Sequence, residues 1–598
     1  MLKRKFDNLL SRGKGRQLLW LFLVCVALIL LAVCITRFIF RDGTLVWQDV
    51  VAIFLSAGAF RGAGVHDVFR LLLALTGVFL FSALLVSVVK NIFDNISESV
   101  KKGTRYYRLE KHVLILGSGR HLRQMLRELS QAEQKQDVLV MTAQDVEKLR
   151  TSLLMEFSDK AFTDRIIFYA GELENREVLK QAHPELAECI YIIGEDGEQD
   201  HDSRCMSCLG VVEKLCQGAE RKIPCYVMLE SSTSQDIINY SQPGAPAGSP
   251  LQTELVNLDE YMAECLLRKV ENGVPFLPTL KKEDERTLHL LIAGKSSMAQ
   301  AMATMAGHIC HFPDFKEFGR RVTKVTFLSS KGKLELEDEF MAKFKRIMRL
   351  NGLMLDVSWE YMDQDLDHEE LQYQLLNMLS QDVIFRVVMC QDTLEERLKD
   401  LTRLPRKLLE HPDFACAVYM DRDSWFVRQA QRSGMYGKIF TFGPADENAD
   451  PLFLRRFQQA KRVNHVYATQ GNIGTGDIEK EWNALSWTYK LSSVYSAMGY
   501  ELRKRCFNPE DKEGMYEAEH RRWIVSELLM GYTPLTREED IELEKLRPNP
   551  DEFKKKAEEL KRKFHHLLLK YFQELSPEDQ QKDQILMEHV DYIIGEND

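Results

Sequence analysis

The sequence predicts three kinds of fold in one chain: an α-helical transmembrane domain, α/β domains with parallel sheets, and an all-α C-terminal module. Two long apolar runs lie within the first 100 residues, strand-like runs alternate with helical stretches from residue 110, and helical patterns continue without strands from residue 460. A chain of 598 residues is also too long for a single hydrophobic core. We therefore predict domains over 1–100, 110–240, 251–450 and 455–598.

The composition excludes several classes of protein. Hydrophobic residues make up 45% and charged residues 28%, which are ordinary values for a folded chain. The net charge of -10 argues against nucleic acid as a partner, because phosphate binding relies on a basic surface. The dispersed cysteines, including Cys25 and Cys34 in an apolar run, indicate reduced thiols. The spacing of His201, Cys205 and Cys208 could suit zinc, but they also share one face of an amphipathic helix, so we predict core packing and no metal site.

Two apolar runs are long enough to cross a bilayer, which takes about 20 helical residues. Gln17–Phe40 carries only Arg37, near its far end, and Leu71–Val89 carries no charge. Lys and Arg cluster before the first run and after the second, which places both flanks in the cytoplasm. We expect a two-span protein of the bacterial inner (plasma) membrane with cytoplasmic N- and C-termini.

The loop between these runs has the pattern of a pore. Trp47–Phe60 is apolar but too short to span, and a Gly-rich stretch follows it. The order of span, half-helix, Gly-rich stretch and span resembles the pore module of cation channels. The potassium filter T-V-G-Y-G is replaced by SAGAFRGAG, which is closer to the variant filters of the CASTOR and POLLUX channels. The resemblance implies a homotetramer with a pore lined by Ala57, Gly58, Arg61, Gly62 and Gly64. The alternative is a two-helix anchor with an interfacial loop.

A βαβ unit follows a basic connector at 90–110. The run HVLILGSG ends in Gly117 and Gly119, a helical stretch follows, and a second strand ends at Thr142. Such glycines let the backbone approach a phosphate at a helix N-terminus. Two features depart from a dinucleotide site: Leu122 stands at the third Gly position, and Thr142 stands where Asp or Glu would bind the ribose.

A third strand, Arg165–Ala170, ends in Gly171-Glu172, and a fourth strand precedes Glu195-Asp196. This region resembles the regulator-of-potassium-conductance (RCK, TrkA-N-like) domain, a Rossmann-like unit that often follows a two-span pore. That family usually has Gly-Asp where this chain has Gly171-Glu172. The resemblance implies a nucleotide or NAD-type ligand near Gly117, Gly119, Gly171 and Glu172.

The linker Ser241–Pro250, rich in Pro, Gly, Ser and Ala, marks a domain boundary or an excursion. Beyond it the pattern recurs, with a strand from Thr287 and a turn at Gly294-Lys295-Ser296. A P-loop is disfavoured, because the first Gly of G-x-x-x-x-G-K-S and its four-residue spacing are missing. We predict a second Rossmann-like domain with Gly294 as a nucleotide-binding residue. Its further strands are predicted at Arg321–Leu328, Leu353–Val357, Asp382–Met389, Ala415–Met420 and Lys438–Phe442.

In the C-terminal region, Glu517, His520 and Trp523 are spaced i, i+3, i+6 and share one face of a predicted helix. Gly531 and Tyr532 follow. This pattern resembles the RyR domain, the repeat named after ryanodine receptors, in which E-x-x-H-x-x-W is paired with a nearby Gly-Trp; here Tyr532 replaces that Trp.

The RyR resemblance implies a sensor of nucleotide ligands. An aromatic ring can stack on a base, and cations can meet its phosphates. The candidate cations are Arg521, Arg522, Lys490 and Lys461. The alternative is that His520 and Trp523 only hold two helices together. Lys554–Lys563 is predicted to be a solvated helix face.

No arrangement in the α/β domains indicates catalysis, so we expect neither an enzyme nor catalytic residues. The favoured hypothesis is a ligand-gated ion channel subunit, for a cation such as potassium, whose cytoplasmic domains sense a nucleotide-type ligand. The alternative hypothesis is a membrane-anchored nucleotide-sensing protein without ion conduction. Both imply a membrane and a small nucleotide as partners, and neither implies nucleic acid.

Overall fold

The structure is a computed structural model of the chain. It describes residues 26–27, 29–35, 38, 52, 65–132, 136–157, 159–197, 200–241, 249–271, 273–317, 319–329, 342–350, 355–366, 368–379, 382–434, 438–444 and 452–595. The chain divides into two compact units. The first contains residues 1–106 with the short segments 145–150 and 168–170, and the second contains the remainder.

A long apolar helix, α1, covers Val65–Lys101 in the first unit. Its section Ala74–Lys101, with a mean hydropathy of 1.9, is long and apolar enough to cross a membrane by length and composition, and it is the one such helix among the described residues. The predicted second span, Leu71–Val89, lies within α1. Most of the predicted first span, and all of the predicted pore residues, lie outside the described residues.

The first Rossmann-like domain contains a six-stranded sheet in the order β3-β2-β1-β4-β5-β6, with parallel pairing where the register is defined. This is the strand order of a dinucleotide-binding fold. The strands are β1 Val113–Gly117, β2 Val138–Thr142, β3 Ile166–Ala170, β4 Cys189–Gly194, β5 Ile223–Leu229 and β6 Leu251–Asn257. The helices are α2 Leu122–Gln131, α3 Val146–Leu154, α4 Lys160–Thr163, α5 Arg176–Leu179, α6 His201–Cys216, α7 Ser232–Ser241 and α8 Leu258–Arg268.

The boundary predicted between the two α/β domains is wrong. β6 pairs with β5 from Ile223↔Leu251 to Leu229↔Asn257, so the first sheet continues past residue 251. The Pro- and Gly-rich linker before β6 is therefore an excursion within the first domain. It misled the prediction because turn-forming composition marks a long loop as readily as a domain boundary.

The second Rossmann-like domain repeats the same strand order, β11-β10-β9-β12-β13-β14, with every neighbouring pair parallel. A short antiparallel pair, β7 Val270–Glu271 and β8 Val274–Pro275, precedes it. The strands are β9 Thr287–Ala293, β10 Thr323–Leu328, β11 Val357–Met362, β12 Val383–Met389, β13 Ala415–Tyr419 and β14 Lys438–Phe442. The helices are α9 Ser297–Ile309, α10 Ala342–Leu350, α11 Glu369–Leu379, α12 Leu394–Arg403, α13 Arg406–Leu409 and α14 Trp425–Ser433. The prediction of parallel α/β domains is thus confirmed.

One predicted strand of the second domain is displaced. The prediction placed it at Leu353–Val357, whereas β11 begins at Val357. Val357 and Trp359 are buried and Ser358 between them is half-buried, which is the alternation of a strand covered mainly on one face. The apolar residues Leu353, Met354 and Leu355 drew the prediction toward the N-terminal side of this strand, although an edge strand shows alternation rather than an apolar stretch.

The C-terminal module is helical from Leu454 onward, apart from a two-residue parallel pairing of β15 Thr533–Pro534 with β16 His565–His566. Its helices are α15 Leu454–Ala468, α16 Ile478–Asn483, α17 Trp487–Met498, α18 Tyr500–Cys506, α19 Lys512–Leu529, α20 Arg537–Leu546, α21 Pro550–Arg562, α22 Pro577–Glu588 and α23 Val590–Ile594. Apolar side chains of α15, α17, α22 and α23 form one buried cluster. The module therefore has a core of its own.

Buried ion pairs join this module to both Rossmann-like domains. Lys490 Nζ lies 3.0 Å from Glu254 Oε1 on β6, and both side chains are 7% exposed. Arg521 reaches the second domain, where Nη1 lies 2.8 Å from Asp314 Oδ2 and Nε lies 3.3 Å from Asp356 Oδ2. Removing one partner of such a pair leaves a buried charge unpaired, so these contacts specify how the helical module docks.

Candidate ligand-binding site

The glycines of the first Rossmann turn serve a close approach of backbone to backbone. Gly117 ends β1 with φ +112°, and a Cβ there would overlap the backbone of Gly194 at the end of β4. A Cβ at Gly119 would lie 2.8 Å from the carbonyl oxygen of Ile193. The turn is therefore packed directly against β4.

The anion position of this turn is filled by the chain's own carboxylates. Glu195, which follows β4 and is 2% exposed, accepts hydrogen bonds from the Ser118 amide (3.0 Å) and hydroxyl, the Thr142 hydroxyl (2.6 Å) and the Ala143 amide (2.9 Å). Asp196 accepts from the amide of Arg120 at 2.7 Å. In a nucleotide-binding Rossmann domain, amides of the first turn face the phosphates instead. In this conformation, Glu195 and Asp196 stand where a phosphate would bind.

The other predicted nucleotide-binding residues also make internal contacts. A Cβ on Gly171 would overlap the side chain of Val178, and Glu172 forms an exposed ion pair with Arg204, with Nη2 3.1 Å from Oε2. Gly294 has φ +118°, and a Cβ there would lie 2.7 Å from the backbone of Cys390 after β12.

Alanine at Gly117 is expected to destabilise the first Rossmann-like domain strongly, because the new Cβ meets backbone that cannot move aside and the positive φ strains any L side chain. Gly210→Ala in α6 is the matched control, since nothing lies within 4 Å of its Cβ position. Thermal unfolding of the two full-length variants checks this. If Gly117→Ala melts with the wild type, the close approach to β4 is wrong.

A cavity of about 640 Å³ lies within the C-terminal module, a size typical of small-molecule sites. Residues of α15, α17, α19, α21 and α22 line it. Of the predicted RyR residues, His520, Trp523 and Tyr532 line this cavity. Glu517 instead contacts Gln573 and lies outside the lining, and Gly531 follows the end of α19. Three residues of the motif therefore line the cavity, and Glu517 and Gly531 lie outside its lining.

His520 and Trp523 both line the cavity, but only His520 is also fixed by hydrogen bonds to neighbouring segments. His520 Nε2 lies 3.0 Å from the Lys570 carbonyl oxygen, to which it donates, and Nδ1 lies 3.1 Å from Asp583 Oδ2. The His520 ring stacks on Trp523 with centroids 5.6 Å apart, and His566 meets Trp523 edge-on at 5.0 Å. His520 thus fixes the indole, which remains half-buried and lines the cavity. The sequence left two roles open, holding helices together and facing a ligand. The contacts of His520 fit the first role, and the half-buried indole of Trp523 fits the second.

The sequence-based choice of cations is largely wrong. Arg521 is held by Asp314, Lys490 by Glu254, and Lys461 lies 2.6 Å from Glu479. Of the four, only Arg522 lines the cavity. The lysines that do line it, Lys554, Lys561 and Lys582, were missed. Lys554 and Lys561 belong to the helix face that was predicted to be solvated. Only the tertiary structure shows that this face lines a cavity.

Glu527 is one of several acidic residues in the lining of this cavity that sequence reasoning missed. It lies four residues after Trp523 and seven after His520, so it continues the same face of α19. Burial raises the pKa of its carboxyl to about 7, although Lys561 and Arg522 favour the charged form. No side-chain hydrogen bond or ion pair holds its carboxylate within the part of the chain that the structure describes. The helical spacing of the motif, extended by one turn, would have found it.

Three buried polar groups of the lining also lack a partner among the described residues. They are Asn464 Nδ2, Thr488 Oγ1 and Arg522 Nη1, in side chains that are 7%, 7% and 2% exposed. An unsatisfied buried donor costs about 1–3 kcal/mol, so such groups normally have a partner from a ligand or water. Their position in the lining of one cavity makes this cavity a candidate polar binding site.

Glu527→Gln is expected to stabilise the protein at high pH. The carboxyl of Glu527 has a pKa of about 7 in the folded protein and an ordinary value of 4.5 in the unfolded chain. As the pH rises from about 4.5 to about 7, the unfolded chain loses this proton more readily than the folded protein, so the free energy of unfolding decreases. The corresponding cost at pH 8 is about 3 kcal/mol, which the neutral glutamine removes. The melting temperature of Glu527→Gln should exceed that of the wild type at pH 8 and nearly equal it at pH 5. Glu558→Gln, on the exposed rim, is the control. Equal melting of wild type and Glu527→Gln at pH 8 would contradict the burial of a charged carboxylate.

No protein-family model and no curated protein sequence matches this chain. Among solved structures it is similar to GsuK bound to ADP, with a TM-score of 0.37 and 12% identity over 72% of this chain and 96% of that one. The GsuK channel bound to NAD gives the same TM-score and identity over 71% and 80% of the two chains. The GsuK RCK domain gives a TM-score of 0.33 and 12% identity over 60% and 82%. These scores are low, so the assignment of two Rossmann-like domains rests on their strand order.

Proposed function

We propose that this chain is the subunit of a ligand-gated ion channel whose C-terminal helical module senses a nucleotide-type ligand. The observation that carries the ligand proposal is the cavity of about 640 Å³ lined by Trp523, by lysines and by buried polar groups without partners. An indole stacks on any nucleobase, and lysine ammonium groups pair with phosphate. GsuK structures contain ADP and NAD, which belong to the same chemical class.

The first Rossmann turn is a weaker candidate for the ligand. A phosphate there would have to displace Glu195, which accepts hydrogen bonds from both backbone and hydroxyl donors. The cavity in the helical module needs no such displacement. We therefore assign sensing to the helical module and propose that the Rossmann-like domains, an RCK-like pair, relay the ligand's effect. We propose no enzymatic activity.

The channel part of the proposal rests on the sequence pattern of residues 1–100 and on the apolar helix α1. Several apolar side chains of α1 are exposed, including Phe79 at 74% and Phe93 at 67%. Lipid or neighbouring subunits would cover them in a homotetramer spanning the bacterial inner membrane, with both termini cytoplasmic.

The test is ion flux through liposomes that contain the purified full-length protein, with and without a panel of adenine and guanine nucleotides. Nucleotide-dependent flux is the expected result. If nucleotides bind and no ion passes under any condition, the chain is a membrane-anchored nucleotide-sensing protein instead. If no nucleotide binds, the ligand proposal fails whatever the conductance.

Reversal of the charge at Arg61 is expected to shift ion preference toward cations, because a ring of carboxylates in a homotetrameric pore attracts them. Arg61→Glu is compared with Arg41→Glu, which lies before the apolar half-helix. Reversal potentials in asymmetric salt give the permeability ratio of cations to anions. An unchanged ratio in Arg61→Glu would remove this residue from the conduction pathway.

A further inference from the structure

We propose that the cavity of the helical module selects a guanine nucleotide, with Glu527 accepting hydrogen bonds from the base while Trp523 stacks on its ring. This inference rests on the proposed function, since it names the base that the sensor recognises. It requires three features: a stacking surface, an acceptor beside it, and cations toward the cavity mouth.

The stacking surface and the acceptor lie one turn apart on a single rigid element. Trp523 and Glu527 are related as i and i+4 on α19, both line the cavity, and one helical turn rises about 5.4 Å. A planar base stacked on the indole would therefore present its edge toward the next turn, where the carboxylate lies. His520 holds the indole by stacking on it, so the platform is fixed before a ligand arrives.

The chemistry of Glu527 distinguishes between the purines. Above pH 7, where the binding test is made, the carboxyl is mostly ionised and can only accept, and no donor of the described chain pairs with it. Guanine offers two adjacent donors, N1–H and N2–H, which can bond both carboxylate oxygens in parallel. Adenine offers the N6 amino group beside N1, which is an acceptor and would face a carboxylate oxygen unfavourably. A guanine base therefore satisfies a buried acceptor that the protein leaves unsatisfied.

Two lysines of α21, Lys554 and Lys561, line the cavity. Lys561 lies over the ring of Tyr489 at 5.1 Å and donates to its hydroxyl at 3.2 Å, and the exposed Lys554 lies seven residues earlier on the same face of α21. Lys582 is held at 2.7 Å by Asp579, and Lys561 also favours the charged form of Glu527, so the exposed Lys554 is the first candidate for phosphate contact. The exposed position of Lys554 and the burial of Glu527 set the order of phosphate outside and base inside.

The test is equilibrium binding of GMP, IMP and AMP to the full-length protein in detergent, by calorimetry. IMP keeps N1–H but lacks the 2-amino group, so it removes one donor from the ligand without changing the protein. We expect GMP to bind about tenfold or more tightly than AMP, with IMP between them, as a bidentate contact requires. Glu527→Gln should abolish this preference, whereas Glu558→Gln on the rim should keep it.

The outcomes separate this inference from the function on which it rests. If none of the three nucleotides binds, both fail. If they bind with equal affinity, if AMP binds best, or if Glu527→Gln keeps the preference for GMP, the guanine inference is overturned and nucleotide sensing stands. Because the IMP comparison uses the wild-type protein, it remains decisive even if a variant fails to fold.

Discussion

Replacement of Glu519 by alanine is expected to unfold the C-terminal helical module. Glu519 is fully buried in α19, where it pairs with Arg503 and with Arg522, whose Nη2 lies 2.9 Å from Oε1, and it accepts a hydrogen bond from Ser496 at 3.1 Å. The two arginines hold the pKa of this carboxyl below its ordinary value in spite of burial. Alanine leaves two guanidinium groups buried without their counter-charge, which costs about 3–5 kcal/mol.

Glu479→Ala is the matched control for this prediction. Glu479 also forms an ion pair, with Lys461, but its side chain is 50% exposed, so its loss should cost no more than about 1 kcal/mol. Thermal melts and hydrogen exchange of α19 in full-length protein would measure the difference. If Glu519→Ala melts together with Glu479→Ala, the buried network does not stabilise the module.

Much of the architecture could be predicted because the strands of a covered parallel sheet are short continuous apolar runs. β1 and β2 are completely buried, and HVLILG and VLVMT therefore stood out from their polar flanks. The place of β6 in the first sheet was not predicted, because β6 follows a long loop. Its pairing with β5 is a tertiary contact that no local sequence pattern encodes. Local signals identified the elements, whereas tertiary pairing decided which sheet each strand joined.

The candidate site was less predictable than the fold, because tertiary contacts that no local sequence pattern encodes determine its composition. The glycine turn pointed to a phosphate, but Glu195 contacts Ser118 across 77 residues, and nothing near Ser118 indicates that contact. The RyR motif did place Trp523 at a cavity. The motif could not show that Arg521 and Lys490 form ion pairs with the Rossmann-like domains. Their partners, Asp314 and Glu254, lie 207 and 236 residues away in the sequence. Spacing along a helix predicts a face, but not what packs against it.

The helix α19 connects the cavity to the second Rossmann-like domain. His520, Trp523 and Glu527 line the cavity, whereas Arg521 on another face is bound by Asp314 and Asp356. His311 also binds Asp356, with Nδ1 2.9 Å from Oδ1, so this carboxylate links α19 to the end of α9. A ligand that shifts α19 would therefore act on the second domain through contacts that are already formed. Under the proposed function, such a displacement would be the two-state element that ligand gating requires.

Loss of the Trp523 indole is expected to abolish the nucleotide response while leaving the module folded. Base stacking on an aromatic side chain contributes about 1–3 kcal/mol, so Trp523→Ala should weaken nucleotide binding roughly tenfold to a hundredfold. Trp523 is only half-buried, so the stability cost should stay below the roughly 3–5 kcal/mol of a buried aromatic truncation. Trp523→Phe, which keeps a stacking ring, should retain part of the affinity.

Trp482→Ala supplies the contrast, because Trp482 is fully buried and its Nε1 donates to Glu254 at 2.6 Å. Melts of the full-length variants, with and without nucleotide, compare the two positions. The wild type should melt higher with nucleotide, Trp523→Ala should melt near the ligand-free wild type in both conditions, and Trp482→Ala should melt far lower. If Trp523→Ala falls as far as Trp482→Ala, Trp523 is a core residue, and the cavity loses the stacking surface that a nucleotide would need.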